Sequence, residues 1–258
     1  MTQQLRKNIY FASDFHLGAP NYEESRKREK LIVSWLDEIK NDAQEIYLVG
    51  DVFDFWFEYK SVIPKGFVRL QGKIAALTDS GIAIHWFIGN HDMWIFDYLP
   101  KELGITLHRD PLVKTFNGKK FLIGHGDGLG PGDYLYKLLK AIFLSKICQW
   151  AFARIHPNFG VGMAQSWSKK SRKSSGISDA IYHGDEKEHL VAFCNDYLQK
   201  DASISYFIFG HRHLPMEVKI GENAKYVNLG EWLTHNTYAV FDGEELALKT
   251  YPKTRCAL

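Results

Sequence analysis

Short apolar, β-branched runs alternate with longer segments of helical spacing in the first part of the chain. Runs at 8–13, 44–49 and 82–88 are bounded by Gly or polar residues and predict buried strands. Between them, 24–39 and 67–78 have the apolar spacing of helices. This alternation predicts βαβ units and a mostly parallel sheet.

The pattern changes towards the end of the chain. Runs at 120–123 and 203–209 predict two further core strands, and shorter strands follow at 225–229, 237–241 and 245–251. Asp242-Gly243, between the last two, is a typical hairpin turn. We therefore expect a second, antiparallel sheet or an antiparallel edge in this region.

Residues 132–175 carry successive helical patterns that interrupt the α/β core. We interpret the chain as a single domain, 1–258, with an inserted helical cap at 132–175. The first cap helix is apolar around much of its circumference, which allows two interpretations. It is either buried against the core or it forms a surface that faces lipid.

Composition narrows the class of protein. The 258 residues are 45% hydrophobic and 24% charged, as in ordinary soluble globular proteins. Lys and Arg number 32 against 30 Asp and Glu, so no basic field indicates a nucleic acid partner. The cationic run at 169–173 is either a solvated face or an anion-binding site.

Three scattered cysteines, without a CxxC spacing, argue against a disulfide framework and against a thiolate metal site. Neither a secretory signal nor a membrane-spanning stretch is visible, which favours a cytoplasmic protein.

Five polar clusters each follow the end of a predicted strand. They are Asp14-Phe15-His16, Gly50-Asp51-Val52-Phe53-Asp54, Gly89-Asn90-His91-Asp92, Gly124-His125-Gly126-Asp127 and Gly210-His211-Arg212-His213. Open α/β sheets place ligands beyond the carboxyl ends of their strands, so the clusters can converge. Each cluster alone could be an ordinary polar turn, but five in this arrangement indicate one functional site.

The residue types in these clusters predict a metal centre. Seven candidate ligands are present: Asp14, His16, Asp51, Asn90, His125, His211 and His213. Oxygen and imidazole donors suit Mn, Fe or Zn better than Ca or Mg. One four-coordinate ion cannot use seven ligands, whereas two ions roughly 3.5–4 Å apart can share a carboxylate. Such a pair lowers the pKa of a bound water and neutralises phosphate oxygens, so we predict a two-metal phosphoesterase.

With these motifs, the chain resembles the calcineurin-like metallophosphoesterase superfamily, whose pattern is D-x-H, G-D-x-x-D/E, G-N-H-D/E, G/H-H and G-H-x-H. The resemblance spans residues 14 to 213 and implies an α/β (α+β) fold, a β-sandwich flanked by helices. It assigns Asp14, His16, Asp51 and His213 to one metal, and Asp51, Asn90, His125 and His211 to the other. It also implies that His91 stabilises the transition state or protonates the leaving oxygen, and that Asp54 orients His91 and favours its imidazolium form.

A narrower resemblance is to the branch of this superfamily that cleaves UDP-2,3-diacylglucosamine to UMP and 2,3-diacylglucosamine 1-phosphate in lipid A biosynthesis. Ser13–Gly18, Gly50–Trp56 and His125–Asp127 carry it. It implies a nucleotide-linked glycolipid substrate and a peripheral position at the cytoplasmic membrane surface. The implied substrate contacts are Trp56, Asp133, Tyr136, Arg154, Ser168, Lys169, Ser171 and Arg172.

The chain departs from that branch at His91, where the better-known members carry Arg. His91 is the residue of the wider superfamily. Two alternatives therefore stand beside the lipid A-pathway interpretation: a metallophosphoesterase acting on another lipid, nucleotide or sugar phosphate, and a non-catalytic binding module of the same fold. The intact set of predicted ligands argues against the binding module.

Overall fold

The computed structural model describes residues 6–179, 182, 184 and 188–252, and for helix residues 170–179 it describes the backbone only. The strands are β1 Asn8–Ala12, β2 Ala43–Val49, β3 Ala83–Phe87, β4 Thr106–His108, β5 Leu112–Phe116, β6 Lys119–Ile123, β7 Ile204–Phe209, β8 Met216–Ile220, β9 Ala224–Asn228, β10 Thr237–Phe241 and β11 Leu246–Thr250. The helices are α1 Tyr22–Ile39, α2 Val68–Asp79, α3 Tyr98–Leu103, α4 Tyr134–Leu144, α5 Lys146–Phe152, α6 Pro157–Asp179 and α7 His189–Lys200.

The strands form two sheets. One has the order β11-β10-β1-β2-β3-β4, and in it β1 to β4 run parallel. The other has the order β5-β6-β7-β9-β8, with parallel β6, β7 and β9 between antiparallel edges. The predicted parallel βαβ arrangement is confirmed.

The strands near the end of the chain do not form a sheet of their own. Strand β10 pairs antiparallel with β1, so the β10–β11 hairpin is an antiparallel edge of the first sheet. Strand β9 instead joins the second sheet beside β7. Of the two expectations for this region, the antiparallel edge is correct.

Side chains alternate between two faces along each strand, as a period of two requires. In β1, Ile9 and Phe11 lie in the core between the sheets, whereas Tyr10 packs in the core shared with α1 and α2. In β7, Ile208 faces the other sheet and Phe207 packs in the core shared with α7. The result is a β-sandwich with helices on both outer faces, which confirms the expected fold class.

Helix α1 shows how the sequence sets these helices. The Asn21 side chain caps it by accepting a hydrogen bond from the backbone N–H of Glu24 at 3.0 Å. Leu31, Ile32, Trp35, Leu36 and Ile39 then form a buried apolar stripe.

Helices α4 to α6 lie between β6 and α7 in the chain, where the helical insertion was predicted. The described part of α4 has no buried residue, so the interpretation that α4 is buried against the core is wrong. Helices α4 and α5 contact the core through Phe143 and Phe152, and the indole N–H of Trp94 donates to the Phe143 carbonyl at 2.8 Å. Among the residues described, no helix is both long and apolar enough to cross a membrane.

Phe121 lies in the core between the two sheets, and its substitution tests how tightly that core is packed. Its fully buried ring lies 4.7 to 6.0 Å, between centroids, from those of Phe11, Phe116, Tyr206 and Phe241. Phe121→Ala should lower the free energy of unfolding by about 3–5 kcal/mol because it leaves a cavity. Urea denaturation measures the change, with Phe159→Ala, an exposed Phe, as the matched control. Equal effects of the two substitutions would contradict this description of the core.

Candidate active site

All five polar clusters follow strand ends, three in the first sheet and two in the second. Asp14, Asp51 and Asn90 lie just beyond β1, β2 and β3, and His125 and His211 lie just beyond β6 and β7. Hydrogen bonds and close polar contacts between their side chains show that the structure brings the clusters together.

The backbone at these positions is unusual. Nine non-glycine residues in the described part of the chain have a positive φ, and five of them are predicted ligands: Asp14, His16, Asp51, His211 and His213. Left-handed backbone costs about 1–3 kcal/mol per residue where the side chain does not favour it, and it concentrates at functional sites. Sharp turns after the strands therefore aim these side chains at one another.

Asp14, His16, Asp51 and His213 form a first candidate metal site, with one ligand atom of each lying within 4.8 Å of all the others. His213 Nε2 lies 3.2 Å from Asp14 Oδ1 and 3.0 Å from His16 Nε2. His16 Nε2 also lies 3.8 Å from Asp51 Oδ2.

The remaining predicted ligands lie on the other side of Asp51. Asp51 Oδ2 is 3.4 Å from His125 Nε2, which is 3.2 Å from Asn90 Oδ1. His211 Nδ1 completes this group at 2.9 Å from Asn90 Oδ1. Because the same Asp51 oxygen faces His16 and His125, this carboxylate is placed to bridge two ions.

Asp51, Asp14 and His125 each use one side-chain atom in a hydrogen bond with the backbone. The other polar atom of each side chain faces the cluster. The His91 N–H donates to Asp51 Oδ1 at 2.8 Å, and the His211 N–H donates to Asp14 Oδ2 at 3.0 Å. His125 Nδ1 donates to the Val49 carbonyl at 2.8 Å, which turns Nε2 inward.

The side chains fit divalent metals. Donors that bind one ion at about 2.0–2.2 Å lie roughly 3.0–3.6 Å from one another, close to the spacings found. Asp14 Oδ1 is buried and accepts no well-formed hydrogen bond, and the imidazoles of His213 and His16 approach it at 3.2 and 3.7 Å. Such a buried charge is costly unless a cation compensates it. Burial lowers the pKa of His125, but Asp51 and Asp14 outweigh it and raise that pKa to about 10. The cluster thus attracts positive charge.

His91 lies beside this cluster. Its Nδ1 is 3.0 Å from the Asp54 backbone oxygen and 3.8 Å from Asp54 Oδ1, while Nε2 is 4.0 Å from Asp51 Oδ2. Burial, together with the neighbouring imidazoles and against the pull of Asp51, lowers the pKa of His91 to about 4. The protein alone therefore favours neutral His91, contrary to the imidazolium expected from Asp54. The Asp54 carboxylate also faces His16 Nδ1, at 3.6 Å.

The residues predicted to contact substrate are dispersed. Ser168 Oγ lies 3.0 Å from His91 Nδ1, and the Tyr136 ring lies 6.4 Å from that of His211. Asp133, just before α4, Arg154, just after α5, and Lys169 on α6 are exposed, and Arg154 stacks on Trp150. Ser171 and Arg172 fall in the part of α6 for which only the backbone is described.

Trp56 is placed differently from the prediction. It is fully buried, stacks on Phe53 with 4.4 Å between ring centroids, and donates its indole N–H to Glu58 at 3.2 Å. This environment assigns Trp56 to the core and not to an exposed substrate surface. The run of aromatic residues after Asp51 in the sequence is compatible with both a core position and a substrate-binding position for Trp56.

Two residues that support the site escaped sequence reasoning. The buried Arg28 donates to the carbonyls of Phe15 and His16 at 2.6 and 2.7 Å, which fixes the first ligand loop. Asp92 accepts from the N–H groups of Gly89 and Val52 at 2.7 and 2.9 Å and so joins the second and third loops. The position of Asp92 within a motif was a usable signal, whereas Arg28 lies in an ordinary charged helix.

Comparisons with known proteins identify the family of this chain. The chain belongs to the calcineurin-like phosphoesterase family, which it matches over residues 7–215. It is 37% identical to a UDP-2,3-diacylglucosamine hydrolase of Porphyromonas gingivalis, over 95% of this chain and 98% of the relative. A relative with the same description from Aeromonas salmonicida is 27% identical, over 93% of this chain and 91% of its own length. A solved dimetal phosphatase from Danio rerio is 13% identical, with a TM-score of 0.48 over 97% of each chain.

Gly89 packs closely against Asp51, and its substitution tests this packing. A Cβ at this position would overlap the Asp51 carboxylate and backbone nitrogen, so Gly89→Ala should displace Asp51. We expect bound Mn²⁺ to fall from roughly two ions per chain to below about one, because both predicted ligand sets include Asp51. Metal analysis after dialysis measures the change.

The matched control is Gly72→Ala in α2, where an added Cβ meets no atom within 4 Å. It should retain the full metal content. A Gly89→Ala variant that also binds metal like the unmodified protein would contradict the placement of Asp51.

Proposed function

We propose that this protein is a two-metal hydrolase that cleaves the pyrophosphate of UDP-2,3-diacylglucosamine to UMP and 2,3-diacylglucosamine 1-phosphate, a step of lipid A biosynthesis. The observation that carries the proposal is the convergence of six candidate metal ligands around a seventh, Asp51. The relatives described as UDP-2,3-diacylglucosamine hydrolases, which are similar over nearly the whole chain, support this choice of substrate.

The two ligand sets divide around Asp51. Asp14, His16, Asp51 and His213 would hold one ion, and Asp51, Asn90, His125 and His211 would hold the other. The mixed oxygen and nitrogen donors favour Mn²⁺, with Fe or Zn as alternatives. When bound, the ions supply a water of lowered pKa and neutralise phosphate oxygens.

His91 would act on the oxygen that leaves phosphorus. The Asp54 carbonyl can only accept a hydrogen bond, so Nδ1 carries the proton in that contact. Nε2, which faces the metal ligands, is then bare in the neutral ring and would pass a proton only once the imidazolium has formed, which the negative charge of a bound phosphate favours. In this role His91 is the catalytic residue, and Asp54 positions its ring.

The inserted helices would bind the glycolipid. Tyr136 donates to Asp127 Oδ2 at 2.5 Å, and Lys140 lies 2.7 Å from the same oxygen, so α4 begins beside the metal ligands. Beyond this contact the inserted helices expose large apolar side chains: Tyr134, Leu135, Leu138, Ile142, Ile147, Trp150, Phe159 and Trp167. Such an apolar surface suits diacyl chains and a peripheral position at the cytoplasmic membrane surface.

The alternative function is hydrolysis of another lipid, nucleotide or sugar phosphate ester. The observation that favours it is His91 itself, because the wider superfamily carries histidine at this position. The metal site suits either function, and the substrate alone distinguishes them.

Activity assays decide between these functions. With Mn²⁺, the protein should release UMP from UDP-2,3-diacylglucosamine, detected by chromatography, and a chelator should abolish the release. Asp51→Ala should lose nearly all activity because both ligand sets share Asp51, whereas Asp97→Ala, at an exposed side chain, should retain it. Cleavage of aryl phosphodiesters without cleavage of the lipid would favour the alternative. No cleavage of either substrate would favour a binding module.

Membrane association is tested on α4. Replacing Leu135 and Leu138 together with Ser should lower the fraction bound to phosphatidylglycerol vesicles by about fivefold or more, because apolar area is lost from the contact. Vesicle sedimentation measures this fraction. The control replaces Val62 and Val68, exposed elsewhere, with Ser. Equal binding by both double variants would contradict a membrane contact through α4.

A further inference from the structure

The His91 ring is held from two sides. Its Nδ1 lies 3.0 Å from the Asp54 carbonyl oxygen, which belongs to the loop after β2, and 3.0 Å from the hydroxyl oxygen of Ser168 on α6. Because Nδ1 donates its proton to the Asp54 carbonyl, the Ser168 oxygen can accept the same N–H. The core thus supplies one contact of this nitrogen, and the inserted helices supply the other.

Ser168 is buried, although its neighbours are not. Its exposed fraction is 7%, whereas that of Trp167 is 56% and Lys169 is exposed. Helix α6 therefore turns a small hydroxyl towards His91 and large apolar and cationic groups towards solvent. A ligand that binds the exposed side of α6 therefore contacts the same helix that carries Ser168.

We propose that Ser168 is a positioning residue for His91, which makes the placement of the catalytic imidazole depend on the position of α6. This inference rests on the proposed function and adds a role for Ser168 besides direct contact with substrate. With the hydroxyl in place, His91 Nε2 stays directed at the leaving oxygen. Without it, the ring keeps its Asp54 contact but can rotate out of line.

The kinetic signature of this role differs from that of a substrate contact. Loss of a substrate contact mainly raises KM, whereas a misplaced catalytic imidazole lowers kcat. The loss should also grow with the basicity of the leaving group, because a poor leaving group depends more on a proton from His91.

The test compares two aryl phosphodiesters with the Mn²⁺-loaded protein. Ser168→Ala should lower kcat for diphenyl phosphate by on the order of tenfold, and for bis(p-nitrophenyl) phosphate, which has a better leaving group, by less than about twofold, with KM nearly unchanged. Ser168→Thr, which keeps the hydroxyl, should retain activity on both esters. In a His91→Ala background, Ser168→Ala should cause no further loss.

Ser166→Ala is the matched control on the same helix, because this exposed Ser donates to the Gly162 carbonyl of α6 at 2.8 Å and has no side-chain bond to another element in the described part of the chain. This variant should match the unmodified protein in kcat and KM for both esters and in its thermal unfolding. The inference is overturned if Ser168→Ala raises KM alone, lowers kcat equally for both esters, or lowers it further in the His91→Ala background.

These outcomes are distinguishable from failure of the proposed substrate. If the unmodified protein cleaves both aryl esters but not UDP-2,3-diacylglucosamine, the lipid substrate is wrong and the Ser168 comparison still decides the positioning role. If the unmodified protein cleaves none of the three, the proposed function fails, and this inference fails with it.

Discussion

The architecture depends on two carboxylates buried where water cannot solvate them. Asp14 and Asp51 are at most 1% exposed, and each directs one oxygen at neighbouring imidazoles and the other at a backbone N–H. Such charges are tolerated inside a protein only when cations or hydrogen bonds compensate them. The left-handed turns, the close glycine contacts and the buried Arg28 all follow from bringing these carboxylates and their partners together.

The sandwich makes this convergence possible. Parallel strands of both sheets end near one another, so short loops from each sheet contribute ligands without long connections. Rigid strands fix where each loop begins, and the turns fix where its side chain points. Helices α4 and α6 reach the same place, because Tyr136 donates to Asp127 and Ser168 contacts His91.

Sequence patterns identified the side chains that converge on Asp51, because strand ends, glycines and donor types are local features. They predicted the fold less completely, since the division of β9 and β10 between two sheets depends on pairing between distant segments. They could not place Trp56, because its aromatic neighbours in the sequence fit a buried position and an apolar binding surface equally well. Nor could they find Arg28, whose three carbonyl acceptors come together only in the folded loop. The contact of Ser168 with His91 likewise depends on how α6 packs, which no spacing rule specifies.

Anomalous diffraction at the manganese edge, from crystals grown with Mn²⁺, tests the central claim most directly. The account predicts two peaks roughly 3.5–4 Å apart, with Asp51 between them and the other six ligands divided on either side. A single peak, two peaks without a shared Asp51, or manganese bound only elsewhere would contradict it.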